Sequence, residues 1–209
     1  MNPDIQKFET NFIPNRHVFS LINTRHLSLD EALKSVGKSH IPVIHMDQVH
    51  KDHCEIIETI PKEKIPQTDA MISRQKNILL CVKTADCMPI IIYHPSGWIG
   101  AVHAGRKGSE LGILKKTLEK MKTLTKTKQD FQLFLGPHIC ESCYEIDKET
   151  KTHYSLKKQN IAQLKESLLQ PHYHIHQECT ACHNSKFFSY RKEGEKAGRF
   201  FTVIMIEEK

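Results

Sequence analysis

No run of apolar residues in this chain approaches the length of a membrane-spanning helix, which needs about 20. The first residues, MNPDIQKFETNF, lack the apolar core of an export signal. The two absences predict a cytoplasmic location and reduced thiols. There are no internal repeats, low-complexity segments or linker-like stretches, so residues 1–209 are read as one domain. Arginines and aromatics are not gathered on one face, as a nucleic-acid binder would have them. The net charge of +6 comes largely from scattered lysines such as Lys115, Lys116, Lys120 and Lys122. A small anionic substrate accounts for it equally well, and neither a nucleic acid nor a membrane is expected as partner.

What is present is a soluble, globular composition, 39% hydrophobic and 26% charged, able to bury a core without staples. Seven cysteines, an odd count, are free for metal binding or nucleophilic work. The organising stretch is 79–108, LLCVKTADCMPIIIYHPSGWIGAVHAGRKG. It sets the polar knot Thr84-Ala85-Asp86-Cys87 between apolar runs and ends on His103 and a glycine-punctuated turn. The runs 78–82, 88–93 and 98–103 read as buried strands. Pro95-Ser96-Gly97 predicts an antiparallel hairpin between the last two. A thiol and an imidazole at the ends of neighbouring strands point to a metal site or a Cys–His dyad.

Around this stretch, residues 17–23 read as a strand. Residues 27–36 read as a short helix with Ser28 as cap and Glu31 as its capping-box partner. Residues 41–44 read as an edge strand, and 54–60 as a strand pairing back as a hairpin. Asp69 sits in a turn-rich segment and looks buried. His45, His50 and His53 crowd one segment. Ser109 is expected to cap a helix with Leu111, Leu114, Leu118 and Met121 on one face. Residues 131–135 read as a strand, 147–170 as mostly helical and stopped by Pro171, and 199–206 as a final buried strand. His172, His174 and His176 alternate on one strand face and are read as an accidental surface patch.

Three metal readings follow. Cys140-x-x-Cys143 and Cys179-x-x-Cys182 admit a structural zinc. The segment between them is longer than in a compact zinc ribbon and carries a helix, so the two pairs are expected to be bystanders. Cys179-Thr180-Ala181-Cys182-His183 matches a haem-attachment pattern, which export would have to accompany, and is set aside. His50, Cys87 and His103 would give a zinc with its fourth position open, as catalytic sites have. Two imidazoles and a thiolate also attract copper.

Seven motifs in order are similar to one family: Gln48-Val49-His50, Thr68-Asp69-Ala70, Ala85-Asp86-Cys87-x-Pro89, His103-Ala104-Gly105-x-x-Gly108, Gly136-Pro137, Cys143-Tyr144-Glu145 and Phe187-Phe188-Ser189-Tyr190-Arg191. They resemble the laccase-domain, or YfiH-type, family, whose members are called polyphenol oxidases, purine nucleoside phosphorylases or peptidoglycan-editing factors. The resemblance implies an α+β fold, a layered α/β/β/α sandwich with mixed β-sheets, related to the cytotoxic necrotizing factor toxins. It implies that His50, Cys87 and His103 are zinc ligands, with copper less favoured. It implies phosphorolysis of adenosine, inosine, guanosine and methylthioadenosine, plus deamination of adenosine, so the expected partners are purine nucleosides and phosphate. The oxidase label fits less well, since three ligands hold one metal and no second His and Cys cluster is expected to relay electrons.

Two loops depart from the family pattern. Thr24-Arg25-His26-Leu27-Ser28 lacks a glycine pair, and Arg106-Lys107 replaces Trp-Arg. On this reading Arg25, Lys107 and Arg191 bind phosphate. Cys87 and Asp86 are the catalytic candidates, Asp86 either orienting a histidine, carrying a proton or capping its loop. The alternatives are a metal-free hydrolase with Cys87 as nucleophile and His103 as base, and a nucleoside-binding protein with a decayed site.

Overall fold

A strand apolar at every position must be covered on both faces, because successive side chains point opposite ways. The central runs of this chain are of that kind, and the computed structural model covers them with stacked sheets and helices. It describes residues 3–7, 18–128, 131–168, 170 and 172–208. The readings that fall on residues 1–2 and 8–17, Leu169 and Pro171 lie outside the described residues. In chain order the elements are β1 (Ile5–Lys7), β2 (Val18–Asn23), α1 (Leu29–Ser35), β3 (Val43–Ile44), β4 (Cys54–Ile57), β5 (Ala70–Ser73), β6 (Leu79–Thr84), β7 (Met88–His94) and β8 (Trp98–Ala104). Then follow α2 (Arg106–Glu110), α3 (Ile113–Thr125), β9 (Gln132–Leu135), β10 (Glu145–Asp147), β11 (Thr152–His153), α4 (Leu156–Ser167), β12 (His172–Ile175), α5 (Tyr190–Glu193) and β13 (Phe200–Ile206).

A five-stranded sheet runs β1-β2-β13-β6-β3 and a six-stranded one β12-β9-β7-β8-β5-β4. Both are mixed: β3 is parallel to β6, β12 to β9 and β4 to β5, and the other pairs in these sheets are antiparallel. Alternation sorts the apolar side chains into three layers. Leu80, Val82 and Ile204 meet Ile91, Ile99 and Phe134 between the sheets. Leu79, Cys81 and Val203, on the other face of the first sheet, pack on Leu29, Ala32 and Leu33 of α1. Ile90, Ile92 and Val102 of the second sheet pack on Leu114, Leu118 and Met121 of α3 and Leu164 of α4. The order of layers is α/β/β/α, as the family resemblance implied.

Ser28 caps α1 as expected: its side chain accepts from the Glu31 backbone, and the Glu31 side chain accepts from the Ser28 backbone. The antiparallel β7–β8 hairpin forms around residues 95–97, as expected. Other expectations need correction. β4 does not pair back on β3. The two lie in different sheets, and β4 is parallel to β5, because the chain changes sheets between residues 45 and 53. Ser109 does not cap the long helix. Gly112, in the left-handed region at φ 82°, breaks the helical run into α2 and α3, so Ser109 is buried inside α2 and Leu111 is exposed. Within 147–170 the helix, α4, runs only from Leu156 to Ser167, and a small β10–β11 hairpin precedes it.

Candidate active site

The site forms where the chain changes sheets. Residues 85–87 carry it from β6 to β7, and residues 45–53 carry it from β3 to β4. The β7–β8 pairing sets Pro89 opposite His103, which brings Cys87, just before β7, beside that histidine. The 45–53 crossing brings His50 to the same point. Cys87 Sγ lies 3.8 Å from His50 Nε2, and the two imidazoles meet edge to face with centroids 4.8 Å apart. One ligand atom from each of His50, Cys87 and His103 lies within 4.8 Å of the others. Gly105 permits this closeness: a Cβ there would sit 2.9 Å from His50 Cδ2 and 3.0 Å from Cys87 Sγ.

Asp69, fully buried, holds the arrangement. It accepts from the backbone N–H groups of Val49, His50 and Lys51 at 3.2, 2.9 and 2.8 Å. It also bonds His103 Nδ1 at 2.8 Å. Gln48 and His50 both have positive φ, 52° and 61°, and those N–H bonds pin the turn they make. Burial pushes the Asp69 carboxyl up, but the His103 bond and the Lys51 and His50 N–H groups outweigh it, and its pKa ends below the ordinary value. The carboxylate is therefore ionised at neutral pH, His103 donates from Nδ1, and Nε2 is left as its ligand atom. Burial pushes the Cys87 thiol up, yet His103 and His50 reverse this and bring it down to about 6. Burial pushes His103 down, and Cys87 and Asp69 raise it to about 9. Two imidazoles and a thiolate with such an outer partner fit a zinc or copper ion.

A cavity of about 450 Å³ opens over Cys87 and His50, walled by Asp86, Ile139, Tyr144, Tyr190 and the cations Arg106, Lys107, Arg191 and Arg199. The structure thus brings Lys107, Arg191, Asp86 and the three ligand candidates together. It does not bring Arg25. That guanidinium donates to Glu193 and to the Asn184 carbonyl, and lies over the Phe188 ring. An ion pair inside the loop layer is what the strand-end arginine makes. Asp86 is not the residue that orients a histidine: it accepts from Thr180 Oγ1 at 2.6 Å and from the Arg191 N–H at 2.8 Å, and Asp69 does the orienting. Arg106, Arg199 and Tyr144 are wall residues that were not among the expected binding or catalytic residues, although Tyr144 lies in a family motif. Arg106 replaces a family tryptophan, which was the available signal.

Neither His45 nor His53 joins the ligand group; His53 pairs with Glu55 at 3.0 Å. His174 stacks on Phe134. The two CxxC pairs, expected to be bystanders, are brought together: the ligand atoms of Cys140, Cys143, Cys179 and Cys182 also lie within 4.8 Å of one another.

Residues 26–207 match the family described as multi-copper polyphenol oxidoreductase laccase. The chain belongs to this family. A relative in Campylobacter jejuni, named purine nucleoside phosphorylase, is 36% identical over 79% of this chain and 77% of its own. Another, from an unknown prokaryotic organism and named adenosine deaminase RL5, is 31% identical over 65% of this chain and 61% of its own. The crystal structure of YlmD from Geobacillus stearothermophilus superposes with a TM-score of 0.86 at 21% identity, over 99% of this chain and 100% of that one. The last comparison shows the shared fold. Among the described residues no helix is long and apolar enough to cross a membrane.

Proposed function

We propose that the chain is a zinc-dependent purine nucleoside phosphorylase, converting adenosine, inosine, guanosine or methylthioadenosine and phosphate to free base and a ribose 1-phosphate. On the same reading it deaminates adenosine, and residues 1–209 act as one domain in the cytoplasm. The observation that carries the proposal is the convergence of His50, Cys87 and His103 beneath a cationic cavity. The names of the relatives support a role in nucleoside metabolism.

His50, Cys87 and His103 would hold the zinc, which would supply Lewis-acid polarisation of a phosphate or water oxygen. The chain's own residues do the rest. Arg191 and Lys107 neutralise phosphate, with Arg106 taking the place expected for Arg25. Tyr144 and Tyr190 offer ring faces to the purine. Phosphate attacks the anomeric carbon, the bond to the base breaks, and the electron pair leaves on the purine nitrogen, which takes up a proton. In deamination water adds at the carbon bearing the amino group, which departs as ammonia. Asp69 keeps His103 in one tautomer throughout.

One observation favours a second reading. Cys87 and His103 carry the thiolate–imidazolium polarity of a nucleophilic dyad. A metal-free hydrolase of that kind is inactivated by iodoacetamide and unaffected by chelators. Mass spectrometry of products from adenosine, with and without phosphate, tests the proposal. Adenine with ribose phosphate, lost on Cys87→Ala, supports it. Full phosphorolysis by protein free of zinc overturns it.

A further inference from the structure

The two CxxC pairs lie far apart in sequence, with β10, β11, α4 and β12 between them. That length is not an obstacle. β9 and β12 are parallel neighbours, from Gln132–His172 to Leu135–Ile175, and a parallel pair needs a long crossover. The loops leaving both strands therefore emerge side by side. A bridge between His138 and Cys179 continues the parallel pairing. Cys140-x-x-Cys143 and Cys179-x-x-Cys182 are consequently delivered to one point.

At that point the four sulfurs lie within 4.8 Å of one another, and Cys143 Sγ is 3.5 Å from Cys182 Sγ. A tetrahedral zinc with Zn–S bonds of ~2.3 Å has its sulfurs about 3.8 Å apart. Mutual approach of all four thiols is what a metal needs, whereas disulfides require only pairwise approach. All four are free thiols. The N–H groups of Cys140 and Cys182 both donate to Cys179 Sγ, at 3.2 and 3.4 Å, and hold that sulfur in place.

We propose that Cys140, Cys143, Cys179 and Cys182 form a closed tetrathiolate zinc site, separate from His50, Cys87 and His103, that fastens one wall of the active-site cavity. The role follows from what the cysteines flank. Ile139 and Tyr144, on either side of the first pair, line the cavity. Thr180, inside the second pair, donates to Asp86 beside Cys87. With four protein ligands no position remains for water or substrate, so the site is structural.

The test is metal analysis of the full chain, purified under reducing conditions and loaded with zinc, as wild type, Cys87→Ala and Cys143→Ser/Cys182→Ser. Cys87→Ala is expected to retain one tightly held zinc per chain, and its cobalt-substituted form to show the strong thiolate charge-transfer bands of an all-sulfur site. Chelation of that zinc should lower Tm and expose Cys140 and Cys182 to thiol reagents. The double variant should lose that zinc and keep any held by the triad. If it fails to fold, the zinc content and cobalt spectrum of Cys87→Ala decide. The proposal is overturned if Cys87→Ala binds no zinc, if its cobalt spectrum lacks sulfur ligation, or if intact mass shows the four cysteines oxidised to disulfides in the reduced preparation.

Discussion

Asp69 and His103 are joined by a 2.8 Å hydrogen bond between a carboxylate and an imidazole that are both buried. The same carboxylate holds the backbone of residues 49–51. One side chain thus fixes the ring of His103 and the turn that presents His50. Outer partners of this kind are worth ~10–100-fold in metal affinity. Asp69→Asn should weaken zinc binding by that order, measured by competition with a chromophoric chelator. Unchanged affinity would remove Asp69 from the site.

Cys87 should be reactive once metal is stripped from the site it shares with His50 and His103. With its pKa lowered to about 6, the thiolate forms as pH rises through 6, so alkylation by iodoacetamide should climb there and level off near neutrality. Cys54, pushed up to about 11 by burial, should stay unmodified. Peptide mapping after a pH series of alkylations checks both, and bound zinc should protect Cys87.

Gly105→Ala should damage the site without unfolding the chain. The new methyl would press on His50 and Cys87, and overpacking of this kind costs ~1–3 kcal/mol. The expected result is lost zinc and lost turnover with a modest fall in Tm. Full zinc occupancy in the variant would contradict the arrangement.

Arg191 and Arg25 should behave differently. Arg191→Ala should raise KM for phosphate, since this residue lines the cavity. Arg25→Ala should leave that KM alone and cost about 1 kcal/mol of stability, through a partly exposed ion pair and a ring contact. Phosphate titrations and denaturant melts of the two variants separate the roles.

His138 supplies an acid-sensitive term. Burial lowers its pKa to about 4, although its bond to the Gly136 carbonyl works the other way. Between the unfolded value of ~6.5 and 4 the unfolded chain binds the extra proton, so stability falls as pH falls. His138→Gln should flatten that part of the curve of unfolding free energy against pH.

The local patterns of this protein were legible in its residues. Continuous apolar runs marked β6, β7 and β8; Ser28 and Glu31 marked the start of α1; Pro95-Ser96-Gly97 marked the hairpin. The residue types of His50, Cys87 and His103 limited the chemistry to a metal or a dyad. Tertiary structure decided what these patterns leave open. A strand pattern does not say which sheet a strand enters, because that depends on long-range burial, and so β4 was misassigned. Spacing does not reveal a crossover that returns the chain to an adjacent parallel strand, and so the CxxC pairs read as bystanders. Nor does charge reveal a partner: Arg25 is held by Glu193, and it is Asp69, not Asp86, that burial and four hydrogen bonds place behind the histidines.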